Sequence, residues 1–111
     1  MKFISTRGHS TAKNAAMAIS KGLADDGGLF VPENFPQITS QELSSMLEMD
    51  YAERATTVLH KYLEEYDKDE LLGACKSAYS KFEDEDGAPI VKVDENLFIM
   101  DLFHGPTLAF K

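Results

Sequence analysis

Lys111 is the residue best placed by its neighbours to do chemistry. It follows a polar turn, His104-Gly105-Pro106-Thr107, and then Leu108, Ala109 and Phe110. An amine held among apolar groups loses proton affinity, because desolvation disfavours the ammonium. The free base can then attack a carbonyl as a Schiff-base nucleophile. A lysine whose stem lies on apolar surface while its head reaches water meets the same spacing, and spacing alone favours that plainer reading. His104 reads either as a general acid or as a turn residue; the shaped turn demanded by Gly105-Pro106 favours the second. Arg7 could hold an oxyanion through its planar guanidinium, or simply be solvated. Gly27-Gly28 could cradle a phosphate on backbone N–H groups, but Leu29-Phe30-Val31 follows as an apparent strand, so a plain turn fits better. His9, His60 and Cys75 lie far apart in sequence, and no metal site is expected from them.

The elements that must position these groups are legible in the periodicity. Phe3 and Ile4 mark a short strand over Met1 to Ser5, followed by the polar turn Thr6 to His9. Ser10 is a candidate N-cap for a helix carrying Ala12, Ala15, Ala16 and Ile19, with Gly22 as its C-cap. Asp25-Asp26-Gly27-Gly28 is a turn signal, and Leu29 to Val31 is a strand stopped by Pro32. Thr39 with Glu42 has capping-box spacing and opens a short helix. Asp50 with Glu53 starts the next helix, an amphipathic stripe from Tyr51 through Val58, Leu59 and Tyr62 to Tyr66. Asp67 with Glu70 opens another helix, with Leu71, Cys75, Ala78, Tyr79 and Phe82 on one face, and the short link between the two favours an antiparallel helical hairpin. Glu83 to Asp86 reads as a solvated loop. Beyond Gly87 the period changes, and two apolar runs flank a three-residue polar turn at Asp94-Glu95-Asn96, a β-hairpin. The fold class expected is α+β: short N-terminal strands, about four helices and a C-terminal β-hairpin, in one domain over residues 1–111.

Composition excludes some functions. The chain has 111 residues, 43% of them hydrophobic, which suffices for a core. A net charge of −8 argues against nucleic acid or an anionic membrane as partner, since both need a basic footprint. No apolar run approaches the ~20 residues that span a bilayer, and no signal-peptide stretch follows Met1. A single cysteine, Cys75, forms no internal disulfide and fits a reducing cytoplasm.

Three segments carry a resemblance. Phe103-His104-Gly105-Pro106-Thr107-Leu108-Ala109-Phe110-Lys111 resembles the cofactor-lysine motif of the threonine synthase family, in which the lysine binds pyridoxal phosphate (PLP). Ser5-Thr6-Arg7-Gly8 resembles that family's opening segment, and the stretch from Gly22 to Pro32 is similar to its GLA-x-DGGLFVP stretch. The family converts O-phospho-L-homoserine and water to L-threonine and phosphate. By this resemblance Lys111 would form the internal aldimine with PLP and then move protons on the substrate. Phe110 would pack near the cofactor ring, with plain core packing as its alternative, and Arg7 would bind the substrate phosphate. The family's enzymes are several times longer, and its acidic residue after the lysine is missing. The sequence therefore reads as an N-terminal piece whose partner is its own C-terminal PLP domain. Alone, the piece is expected neither to hold PLP nor to make threonine. A protein-interaction module and a PLP-dependent lyase relative acting on a phosphorylated substrate stand as alternatives.

Overall fold

A computed structural model describes every residue of the chain except Lys13 and Lys111. The elements, in order, are β1 (Phe3–Ser5), β2 (Thr11–Ala12), α1 (Ala15–Lys21), β3 (Phe30–Pro32), α2 (Ser40–Met46), α3 (Tyr51–His60), α4 (Lys68–Tyr79), β4 (Ile90–Asp94) and β5 (Leu97–Met100). The expected α+β class holds, with four helices and two small antiparallel sheets among the described residues.

The first sheet has the order β2-β1-β3. Phe3 pairs with Ala12 on one side and Pro32 on the other. Pro32 belongs to the strand rather than stopping it: β3 is an edge, where a missing N–H costs no ladder bond. Phe3, Ala12, Ala15 and Ala18 form a buried cluster, with Met1, Phe30 and Leu63 packed against it. The small alanines let α1 lie close on the sheet.

Ser10 does not cap α1. Thr11 and Ala12 are drawn into a strand by β1, so the helix starts later, with the Asn14 side chain accepting the Met17 N–H at 3.0 Å. Glu65 accepts the neighbouring Ala16 N–H at 2.6 Å, satisfying a second of the orphan donors at the helix start. Gly22 ends α1 at φ 73°, a positive backbone angle that suits glycine.

The predicted capping box forms at Thr39/Glu42, and a second forms where Asp50 and Glu53 start α3. Helix α3 is shorter than its apolar stripe. It tightens into i→i−3 bonds at Lys61 and Tyr62 and ends after His60. The residues that follow serve the N-terminal sheet instead: Leu63 joins its core, Glu64 meets the Met1 ammonium, and Glu65 caps α1. Helices α3 and α4 pack together, burying Ala52, Thr56 and Cys75. Tyr51, Tyr79 and Phe82 continue that contact edge to face, with ring centroids 4.7 and 5.2 Å apart.

The C-terminal hairpin differs in detail from the sequence reading. Asp94 pairs directly with Leu97, so the turn holds two residues, Glu95 and Asn96. The register shifts between Lys92 and Asp94, a bulge at Val93. All nine strand residues of the hairpin are exposed. The Cα radius of gyration is 16.4 Å, against about 13 Å for a compact domain of this length.

Candidate functional site

Two of the three family-like segments form one structural unit. Strand β1 leads into the turn at Thr6 to His9, and the Asp25–Gly28 turn lies against it. The Ser5 hydroxyl donates to Asp26 Oδ1 at 2.6 Å, and the Gly28 N–H donates to the same oxygen at 3.0 Å. The His9 N–H donates to Asp26 Oδ2 at 3.0 Å. Asp26 thus gathers both segments around one carboxylate. Its pKa is lowered, chiefly by the Ser5 hydroxyl, against some desolvation and with help from the Gly28 and His9 N–H groups. Arg7 Nη1 donates to the Asp26 carbonyl at 2.9 Å, which orients an otherwise exposed guanidinium. Thr6 completes the clasp by exchanging bonds with Leu29.

Gly28 is buried in this clasp. A Cβ there would lie 2.1 Å from Ser5 Oγ. The phosphate-cradle reading of Gly27-Gly28 fails here: the Gly27 N–H is bonded to the Ala24 carbonyl and the Gly28 N–H to Asp26. The turn reading holds, with Gly27 at φ 77°. Sequence reasoning missed Asp26 as the hub. The signal available was an aspartate immediately before Gly-Gly, where a side chain can bond the backbone two residues on.

The third segment continues from β5. His104 offers its carbonyl to the Glu83 N–H at 3.0 Å, pinning the segment to the end of the helical pair. Its ring stacks on Phe103, centroids 4.6 Å apart. Its Nε2 is buried, 3.8 Å from Asp101 Oδ2, with no hydrogen-bond partner among the described residues. Gly105 shapes the turn: it is buried, and a Cβ there would meet the Phe82 ring at 3.0 Å. The Leu108 N–H closes the turn on the Gly105 carbonyl at 2.9 Å, and Leu108 takes φ 54°, an uncommon conformation for a leucine. Phe110 is 73% exposed and, with Tyr51, Tyr79 and Phe82, lines a cavity of about 330 Å³. Burial pushes the Tyr79 phenol up. Lys111 lies outside the described residues. His9, His60 and Cys75 are not brought together; among the described residues no cluster of three His, Cys, Asp or Glu side chains forms.

Comparison with known proteins fits this arrangement. Residues 2–79 match the family model described as "Threonine synthase N terminus". The threonine synthase of Pseudomonas aeruginosa is 38% identical over 112 residues, covering 100% of this chain and 24% of that protein. That of Schizosaccharomyces pombe is 36% identical over 113 residues, covering 100% and 22%. The crystal structure of PLP-bound threonine synthase from Brucella melitensis superposes with a TM-score of 0.92 at 37% identity, over 99% of this chain and 24% of that one. The chain belongs to the threonine synthase family and corresponds to its N-terminal region. It spans about a quarter of the length of the relatives it matches. The motif from Phe103 onward lies beyond the family-model match but within the span shared with the full-length relatives.

Proposed function

We propose that the chain contributes the cofactor-attaching lysine, Lys111, to a threonine synthase that turns O-phospho-L-homoserine and water into L-threonine and phosphate. The observation that carries this reading is the sequence motif from Phe103 to Lys111, whose described residues follow β5 into a turn closed at Gly105 and Leu108. The same span is shared with full-length threonine synthases over the whole chain. Phe110 stands beside that lysine as the aromatic that would flank the cofactor ring. Arg7, oriented by the Asp26 carbonyl, is proposed to meet the substrate phosphate.

The described residues do not fit PLP by themselves. A phosphate calls for a set of free backbone N–H groups, usually at a helix N-terminus, and both N–H groups of Gly27-Gly28 are spent. A chain of charge −8 also repels a dianionic ligand. The chain is proposed to offer an attachment point and a substrate-facing surface, with the remaining cofactor contacts supplied by the rest of the enzyme.

The test is a chimera in which this chain replaces the matching first quarter of the Brucella melitensis enzyme. Lys111→Ala in the chimera should abolish the visible absorbance of bound PLP and the turnover of O-phospho-L-homoserine, with the far-ultraviolet circular dichroism unchanged. Normal kinetics in that variant would refute the assignment. The isolated chain mixed with micromolar PLP should show no saturable, Lys111-dependent absorbance.

A further inference from the structure

The turn from Gly105 to Leu108 is held from outside. A backbone bond spans it, from the Leu108 N–H to the Gly105 carbonyl, and Leu108 stands at φ 54° with its side chain exposed. A leucine keeps such a conformation only where its surroundings over-determine it. Two contacts from just past the end of α4 supply that constraint. The Glu83 N–H donates to the His104 carbonyl at 3.0 Å. Beside it, the Phe82 ring lies against Gly105: an added Cβ would meet Cζ at 3.0 Å and both Cε atoms at 3.4 Å. Those three atoms are the tip of the ring. Gly105 is not among the glycines with positive φ, so the backbone does not call for glycine there; the ring does.

Phe82 is fixed by its own neighbours. Its N–H donates to the Tyr79 carbonyl at 3.0 Å. Its ring meets Tyr79 edge to face, with centroids 5.2 Å apart and planes at 76°, and Tyr79 meets Tyr51 at 4.7 Å and 89°. Such pairs attract beyond the area they bury. Three rings thus run in a row from the start of α3, across the end of α4, to the turn that leads to Lys111. Packed groups transmit a displacement rather than absorb it.

We propose that Phe82 is a positioning residue for Lys111: the tip of its ring seats Gly105, and so sets where the turn delivers the lysine. This rests on reading Lys111 as the cofactor-attaching residue. A lysine stem is long and flexible, so the backbone that carries it must be fixed for its amine to meet a reacting centre. A misplacement of about 1 Å in such a group costs about a hundred-fold in rate. In this role Phe82 acts through Gly105 and need touch neither cofactor nor substrate.

The test is a double-mutant cycle of Phe82→Leu and Gly105→Ala in the chimera described above, read by kcat, KM and the visible circular dichroism of bound PLP. Gly105→Ala pushes the turn off the ring by a few tenths of an ångström and should lower kcat about ten-fold, with KM within about two-fold of the parent. Phe82→Leu removes the tip of the ring and should lower kcat by a similar factor. Both should weaken the visible dichroism. With the ring gone the added methyl has room, so the double variant should be no slower than Phe82→Leu alone. Thr56→Ala, which loses a buried hydroxyl bonded to the Ala52 carbonyl, should lower the melting temperature and leave kcat and dichroism as in the parent. Losses in kcat that multiply, a Gly105→Ala chimera with the parent's kcat and dichroism, or a kcat loss in Thr56→Ala equal to that in Phe82→Leu, overturns the proposal. Gly105→Ala decides the matter even where Phe82→Leu does not accumulate, since it deletes no side chain. A Lys111→Ala chimera with normal kinetics sinks the catalytic reading and this proposal with it. Lost activity in Lys111→Ala beside multiplying losses in the cycle sinks the positioning role alone.

Discussion

Substituting Gly28 by alanine tests the clasp that joins the two N-terminal motifs. The added Cβ would sit 2.1 Å from Ser5 Oγ and 3.1 Å from both the Arg7 nitrogen and Asp26 Oδ1. Ser5 and Gly28 are both buried, so neither can swing into solvent. Overpacking of this kind costs about 1–3 kcal/mol, and displacing the Ser5 hydroxyl from its partner adds about 1 kcal/mol. The single variant should therefore lose about 3 kcal/mol. Ser5→Ala removes the only atom closer than 3.0 Å and should lose about 1 kcal/mol. The double variant should then lose little more than Ser5→Ala alone, a coupling of nearly 3 kcal/mol, to within roughly 1, between the two sites. Urea unfolding followed by circular dichroism, with a common slope for all four proteins, measures each term. Additive losses, or a Gly28→Ala protein within about 0.5 kcal/mol of the parent, would show that the clasp is not packed as described.

Two further predictions follow from other contacts. Glu42 is held at a pKa of about 2, well below its ordinary 4.5, chiefly by Lys61 and then by Thr39. A depressed carboxylate stabilises the fold above its unfolded pKa, so this contribution should be intact above about pH 4.5 and fade as pH falls toward 2; the urea midpoint of Glu42→Gln should change less across that window than the parent's. Gly87 stands at φ 67° with a Cβ position 2.8 Å from the Tyr51 ring, so Gly87→Ala should cost about 2 kcal/mol and lower the melting temperature by about 10 °C, and an unchanged melting curve would contradict that contact.

Much of the fold could be read locally, because local rules govern it. The capping boxes at Thr39 and Asp50 formed because their spacing alone satisfies orphan N–H groups. The readings that failed were decided at long range. Ser10 lost its capping role because β1 claimed Thr11 and Ala12 across a turn. The stripe from Tyr51 to Tyr66 broke after His60 because Leu63 and Glu65 are bound to α1 and its sheet, nearly fifty residues away in sequence in the case of Ala16 and Glu65. The hairpin loop was read one residue too long because periodicity does not reveal a bulge. At the candidate site, the motifs were visible as strings, but their union through Asp26 was not. Nothing in a one-dimensional pattern shows that Ser5 and Asp26 share a hydrogen bond.

The bare apolar strand β5 has a colloidal consequence. Free strand edges recruit other chains, and charges beside them act as gatekeepers. Here the gatekeepers are all of one sign: Asp94 and Glu95 before the strand and Asp101 after it. Their effect scales with ionisation and with ionic strength. At neutral pH and low salt, repulsion keeps the sticky edges apart. Near the isoelectric point of about 4.7 that barrier vanishes while the apolar surface stays the same. The same residues that a full-length enzyme would fold away thus make the isolated chain a polyanion whose solubility is set by its buffer.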